Sequence, residues 1–454
     1  MPIASHARLS RTLGKLFASY AGPPFAIRLW DGWLWNSPPN SSGPASPGPP
    51  TPACTIVVAT PQVAQALALG ASQVALAEAF IHKQIEIEGD LFAVFDVAEH
   101  LLNRPQSLRN RLFRKISRLG YTFSRRAVLG PRHSRRRDRS SIAAHYDQPV
   151  DFFRPWLGPT LAYSCAYFRD CTGSLDDAQQ RKLDLICRKL RLQPGHRFLD
   201  IGCGWGSLIL HAAARYGAHA EGITLSREQA KVAQQRIADA NLGSRCQVRF
   251  QDYRDFDPAH ESFDRIASVG MAEHVGLKNL PGYFSIAYRL LKPGGVFLNH
   301  AIARSAAGPA PRGHDSFIAR YVFPDGELVT PAQTIAAAES AGFEVRDIEN
   351  LREHYGLTLR RWVQAFQQSM PALLEHVPET TCRIWLLYMA GCAEAFRRGD
   401  IGVYQLLLSR PENGDSHLPL TREDWYSAVQ PTVPGPSENL VQAPQVNRIR
   451  SATM

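Results

Sequence analysis

Ten residues near the middle of the chain, Arg197–Gly206 (RFLDIGCGWG), have the types and spacing of a turn that holds a small charged ligand. Arg197 to Ile201 reads as a short buried strand. Asp200 lies near its end, Gly202, Gly204 and Gly206 follow, and a helix is expected from about Ser207. Glycines let the backbone turn tightly and approach a ligand closely. The helix N-terminus adds free N–H groups at the same place. The spacing is G-x-G-x-G rather than the G-x-G-x-x-G of dinucleotide folds. An acid ahead of the first glycine suits the ammonium of an amino-acid-bearing ligand better than a pyrophosphate, which points to S-adenosylmethionine. A bare glycine turn on an unrelated α/β protein is the alternative reading.

Two further positions extend that ligand. Where a generic methyltransferase carries an acid after its second strand, this chain has Thr224-Leu225-Ser226, with Gln229 one turn into the next helix to reach back toward ribose hydroxyls. Asp252, after the third strand, is placed to accept from an adenine amino group, with a plain helix N-cap as the alternative.

These residues need a scaffold, and the pattern from His145 onward supplies one. Residues 174–191 read as an amphipathic helix capped by Ser174. Strands are expected at 197–201, 219–224, 247–251, 264–269 and 296–302, separated by helical stretches. That alternation predicts an α/β fold with a doubly wound parallel sheet, whose ligands sit at the carboxyl ends of the strands. Four segments are expected. A small mixed α/β N-terminal domain spans 1–120, with a Pro/Ser/Gly loop at 37–52; a basic linker spans 121–144; the catalytic domain spans 145–410; a Pro-rich tail spans 411–454. Within the first, a strand is expected at CTIVVA, helices at 61–80 and 91–120, and an edge strand at IEIEGD.

At 454 residues the chain should hold more than one domain, at ~100–200 residues each. No stretch approaches the ~20 apolar residues of a membrane span, and no secretory signal is evident. The eight cysteines form no C-x-x-C pair and no cluster with histidines, so a reduced cytosol is expected. The net charge of +10 is uneven. Residues 104–139 hold thirteen Lys or Arg and one acid, Asp138, so this stretch exceeds the whole chain's balance. Such a run is a solvated hinge or faces an anionic partner, lipid or nucleic acid. The N-terminal Leu9, Leu13, Leu16, Phe17 and Tyr20 share a helical face, for packing or for a membrane surface.

From His145 to about Arg410 the chain resembles the cyclopropane-fatty-acyl-phospholipid synthase family, which includes the mycolic acid cyclopropane synthases. The matching stretches include HYD (145–147), YSCAYF (163–168), LDIGCGWG (199–206), GITLSREQ (222–229), QDYRDF (251–256), SVGMAEHVG (268–276), NHAI (299–302), IENLREHYGLTL (348–359) and MAGCAEAFRRGDIGVYQ (389–405). WDG (30–32) and EGDLFAVFD (88–96) resemble the longer, phospholipid-acting members. The resemblance implies a Rossmann-like class I methyltransferase that transfers a methylene from S-adenosylmethionine to a cis double bond of an unsaturated phospholipid. It implies cofactor contacts at Tyr163, Ser164 and Tyr253 beside those named above. It also implies a bound bicarbonate that takes a proton from the carbocation, in a cradle of Cys165, Glu273, His300, Tyr355 and the backbone N–H of Ile302. Cys392 corresponds to a family cysteine regarded as a possible nucleophile; packing is its alternative role. Read without the family, Cys165 and His300 are core residues and Glu273 an ordinary helix start.

Ala272 stands where family members often carry a bulky aromatic, which leaves acyl preference open. Phe152, Phe153, Trp156 and Phe168 are candidates for an acyl tunnel or for core. Ring closure and a methyl or methylene branch share one carbocation, so both products stay open. A nucleic-acid methyltransferase is the competing class, but no base-flipping motif or RNA-binding module is present. The expected partner is an anionic bilayer held by residues 104–139 on its cytoplasmic face, and the resemblance implies a homodimer through the N-terminal domain.

Overall fold

The computed structural model describes residues 3–38, 51–68, 72–102, 148–306, 316–323 and 326–426. The basic stretch 104–139, His145 and Tyr146, most of the 37–52 loop, the second half of the helix expected at 91–120 and the tail after 426 lie outside them. The described residues fall into two compact units. One draws on Met1–Ser141, Ser305–Gly326 and Tyr355–Ile401, the other on Ile142–Arg304, Glu327–His354 and Gly402–Met454. Neither unit is a continuous piece of chain, unlike the segments expected from sequence order.

In the first unit, strands β1 (Phe25–Leu29), β2 (Leu34–Asn36), β3 (Cys54–Val58) and β4 (Ile85–Gly89) form a sheet in the order β2-β1-β3-β4. β1 pairs parallel with β3 and antiparallel with β2, and β4 is an antiparallel edge, as its alternating Ile and Glu predict. The helix Ile3–Leu16 buries Leu13 and Leu16 in the core of this sheet with Phe17, Phe25 and Trp35. Its apolar face is thus used internally. The span expected as one helix over 61–80 is described as two, Pro61–Ala68 and Gln73–Ile81, the second capped by Ser72. The long helix Glu379–Arg398 belongs to this unit. Its Arg383 donates to Phe80 O at 2.7 Å and pairs with Glu86 at 3.0 Å, and its Arg398 pairs with Asp96 at 2.9 Å.

The second unit holds a seven-stranded sheet of β5 (Arg197–Ile201), β6 (His219–Thr224), β7 (Cys246–Phe250), β8 (Phe263–Val269), β9 (Leu291–Arg304), β10 (Glu344–Asn350) and β11 (Ile401–Ser409), in the order β7-β6-β5-β8-β9-β11-β10. The first five strands agree with expectation within a residue or two, except that β9 is longer at both ends. They pair in parallel, while β10 and β11 form an antiparallel pair that sequence reading does not anticipate. The chain runs outward from β5 through β6 to β7 and then returns to β8 on β5's other side. The glycine turn after β5 therefore lies where the strand order reverses, the place where open α/β sheets bind ligands. The helix Leu175–Lys189, capped by Ser174, covers one face with Ser207–Tyr216 and Arg227–Asp239. Leu280–Leu290 and Pro331–Ser340 cover the other. Among the described residues no helix is long and apolar enough to cross a membrane.

Candidate active site

The turn after β5 has the backbone its glycines predict. Gly202, Gly204 and Gly206 all adopt positive φ, at 86°, 54° and 82°. The N–H groups of Gly202 and Cys203 both donate to Ile223 O at 3.0 Å, which ties the turn to β6. Gly206 is the N-cap of the following helix. A Cβ on Gly202 would meet Met271 at 3.1 Å, whereas a Cβ on Gly204 would meet nothing within 4 Å. The middle glycine thus borders open space. Asp200 is buried, and among the described residues its Oδ1 has no hydrogen-bond partner. Burial pushes its carboxyl up to about 7, and the nearby Lys182 ammonium opposes that rise.

Beside the turn, the loop carrying Tyr163 and Ser164 is gripped by the helix Leu175–Lys189. Gln179 Nε2 donates to Ala162 O and Ser164 O at 3.1 and 3.0 Å, and Lys182 Nζ donates to Ser164 Oγ at 2.8 Å. Tyr163 packs edge-on to Trp156. Phe152, Phe153 and Trp156 are fully buried in one aromatic cluster with Trp205, and Phe168 is buried as well.

At the end of β6, Ser226 caps the next helix by accepting from Gln229 N at 3.2 Å. Thr224 Oγ1 donates to Gln229 Oε1 at 2.8 Å, so Gln229 does reach back to the strand end across Leu225. Asp252 caps the short turn Tyr253–Asp255, and its carboxylate is also bound by the Arg254 guanidinium at 2.8 and 2.7 Å. The N-cap reading of Asp252 is therefore the geometry present, and Tyr253 packs edge-on to Tyr283.

Glu273 lies in the 3₁₀ turn Ala272–His274 after β8, not at the start of an α-helix. Its Oε1 accepts from the Ile302 N–H at 2.7 Å, while its buried Oε2 has no partner. Burial raises this carboxyl to about 7, and the Ile302 N–H pulls the other way. Ala272, Glu273, Asn299, Ile302, Glu327 and Tyr404 line one narrow recess. On β9, two residues before Ile302, His300 is buried with Gln405 Nε2 3.1 Å from its Nδ1. The donor and acceptor roles in this pair follow the tautomer of the imidazole and the orientation of the amide. Among the described residues Nε2 has no partner. Burial, with help from Lys182 and Lys189, holds the imidazole pKa down to about 3, so it is neutral. Cys165 is fully buried, with Sγ 3.8 Å from Leu351 O.

Tyr355 and Cys392 belong to the first unit. The Tyr355 ring packs on Phe396 with centroids 4.7 Å apart. The Cys392 thiol is pushed up to about 12 by burial, so it is protonated at neutral pH and a poor nucleophile.

Sequence reading missed four residues of this region: Gln179, Lys182, Asn299 and Gln405. Each is a polar side chain on an otherwise apolar, buried face. Gln179 and Lys182, three apart on one helix, interrupt the stripe of Ala178, Leu183 and Ile186, and that interruption was the available signal.

The profile of the family described as "Mycolic acid cyclopropane synthetase" matches residues 133–406. A "Probable fatty acid methyltransferase" of Pseudomonas putida is 40% identical over 406 residues, spanning 89% of this chain and 96% of that protein. The "Cyclopropane-fatty-acyl-phospholipid synthase" of Escherichia coli K12 is 42% identical over 271 residues, 60% of this chain and 68% of its own length. Among solved structures, the mycolic acid cyclopropane synthase CmaA1, complexed with SAH and CTAB, is 36% identical with a TM-score of 0.56, covering 60% of this chain and 97% of that one. With a family match over most of the chain and the fold of these enzymes around the glycine turn, this chain belongs to the S-adenosylmethionine-dependent fatty acid methyltransferase and cyclopropane synthase family.

Proposed function

We propose that the protein transfers a methylene from S-adenosylmethionine to a cis double bond of an unsaturated phospholipid acyl chain, closing a cyclopropane ring. The observation that carries this reading is the protonation pattern at β8 and β9. A double bond that accepts a methyl group becomes a carbocation, and any free lone pair nearby would add to it. Here His300 is neutral, and one of its ring nitrogens, Nδ1, is engaged by Gln405. Glu273, at about 7, is half protonated at neutral pH. This is an environment of donors and a weak carboxyl, suited to a cation that must survive until it loses a proton.

The residues fit both bound groups. Asp200 Oδ1 would hold the cofactor's ammonium, the glycine turn and Tyr163 and Ser164 its amino-acid end, Thr224 to Gln229 its ribose, and Asp252 and Tyr253 its adenine. When bound, S-adenosylmethionine supplies an electrophilic methyl. A bicarbonate would take donors from His300 Nε2 and the Cys165 thiol, with Glu273 Oε2 free to hold or pass on a proton. The family resemblance assigns the Tyr355 hydroxyl and the Ile302 N–H to the same ion. In this structure that N–H is occupied by Glu273, so on this reading Glu273 gives it up.

A second product is favoured by one comparison. The Pseudomonas putida relative that spans most of this chain carries the name of a fatty acid methyltransferase rather than of a cyclopropane synthase. Without any reductant the same cation gives a methyl-branched alkene by losing a chain proton, or a methylene branch by a 1,2-hydride shift and loss of a methyl proton. Incubation with vesicles of an unsaturated phospholipid and S-adenosylmethionine, followed by lipid mass spectrometry, tests both. A gain of one CH₂ that then resists mild hydrogenation is the ring. A gain that is reduced by hydrogenation is a methyl-branched alkene or a methylene branch. Methyl appearing in RNA and not in lipid would contradict the lipid assignment. We further infer that residues 104–139 hold the enzyme on the anionic cytoplasmic face of the membrane, so vesicle binding should weaken as salt rises.

A further inference from the structure

The least explained charge in the second unit is Lys182. Its side chain is 2% exposed and sits in the middle of the helix Leu175–Lys189. Removing an ammonium from water costs several kcal/mol unless an anion compensates it. Among the described residues no carboxylate lies within ion-pair distance of it, although the neighbouring Lys189 has Asp347 and Glu349. Its one hydrogen bond among them is to a neutral group, Ser164 Oγ, at 2.8 Å. The acidic groups whose charge reaches it are Cys165 and then Asp200, the one carboxyl of the two, whose buried Oδ1 has no partner among the described residues. A buried cation and a buried carboxylate therefore sit in one neighbourhood without closing on each other.

A zwitterion closes both. The amino-acid end of the cofactor carries an ammonium and a carboxylate on one carbon, and Asp200 accounts only for the ammonium. The hydrogen bond from Lys182 decides what Ser164 can do. A lysine ammonium only donates, so Ser164 Oγ must accept from it. The serine's own proton is then directed to another acceptor, and donation to a carboxylate is strengthened by the charge behind it. Gln179, three residues earlier on the same helix face, fixes the backbone of the loop at Ala162 and Ser164.

We propose that Lys182 is a positioning residue for the cofactor's α-carboxylate, acting through Ser164, whose hydroxyl it turns into a committed donor. The inference rests on the cofactor placement proposed above. Burial holds the ammonium down to about 8, and an anion beside Ser164 would oppose that fall.

The test is calorimetric titration of the full chain with two ligands, S-adenosylhomocysteine and its decarboxylated analogue, which differ only in the carboxylate. The native protein should prefer the first by at least about tenfold, as expected for a charge-assisted contact. Lys182→Met should bring that preference within about threefold by weakening S-adenosylhomocysteine alone. Because the readout is a ratio within one protein, a partial loss of folded protein cancels. Ser164→Ala, which leaves the buried helix intact, should collapse the preference equally, and the double variant should lose no more than either single one. An unchanged preference in either variant, or equal weakening of both ligands, overturns the proposal. Failure of the native protein to bind S-adenosylhomocysteine would instead overturn the cofactor placement.

Discussion

Asp200 and Glu273 are both buried carboxyl groups near the carboxyl ends of neighbouring strands, each with one oxygen unpartnered and each raised to about 7 by burial. Their surroundings nevertheless ask for opposite partners. Asp200 feels the Lys182 ammonium, which favours its ionised form, and borders the open side of Gly204. Glu273 has a backbone N–H on one oxygen and a neutral imidazole two residues from that N–H. An arriving ammonium stabilises charge on Asp200, whereas an arriving anion stabilises the proton on Glu273. Equal pKa values thus describe two different devices, one for holding a cation and one for handling a proton.

Four substitutions probe this contrast. Glu273→Gln should lower turnover by at least about a hundredfold, the usual scale of acid–base catalysis, measured by lipid mass spectrometry. Its S-adenosylhomocysteine affinity should stay within about threefold. On the other side, Gly202→Ala and Gly204→Ala should separate folding from binding. Each forces a side chain into left-handed backbone at about 1–2 kcal/mol. The first also presses on Met271 and should lower Tm more, while the second should cost cofactor affinity more, because its new methyl enters the open space. Gln405→Leu frees His300 to switch tautomer and should lower kcat by about tenfold with little change in cofactor binding.

A pH series addresses the carboxyl of Glu273 directly. Its folded pKa lies above the unfolded value, so between about 4.5 and 7 the folded state keeps a proton that the unfolded chain has released. Raising pH through that window destabilises the native protein but not the Gln variant. The Tm of Glu273→Gln relative to the native protein should therefore climb from about pH 5 to 7 and level off above. The smallest effect is expected at Cys392, whose protonated thiol leaves Cys392→Ala within about threefold of native activity.

Much of this was legible in the chain. The five parallel strands, the glycine turn and the Ser174 and Asp252 caps follow from local pattern, because glycine, capping residues and apolar runs act over a few residues. β10 was hidden because it is a polar strand of alternating burial, EVRDIEN, and β11 because it follows a helix with only Gly399 and Asp400 between them. Lys182 and Gln405 were hidden for another reason. Their meaning depends on a partner far away in sequence, Ser164 in one case and His300 in the other. No periodicity records such a pairing.

The division of labour between the two carboxyls is tested most directly by S-adenosylhomocysteine affinity, titrated from about pH 5.5 to 7, below the range in which Lys182 loses its proton, in the native protein, Asp200→Asn and Glu273→Gln. Burial holds Asp200 partly protonated near pH 7, and the ligand's ammonium needs it ionised. Affinity should therefore rise with pH in the native protein and in Glu273→Gln, and should be weak and flat in Asp200→Asn. A pH-dependent rise that survives in Asp200→Asn, or one that disappears in Glu273→Gln, would contradict the account.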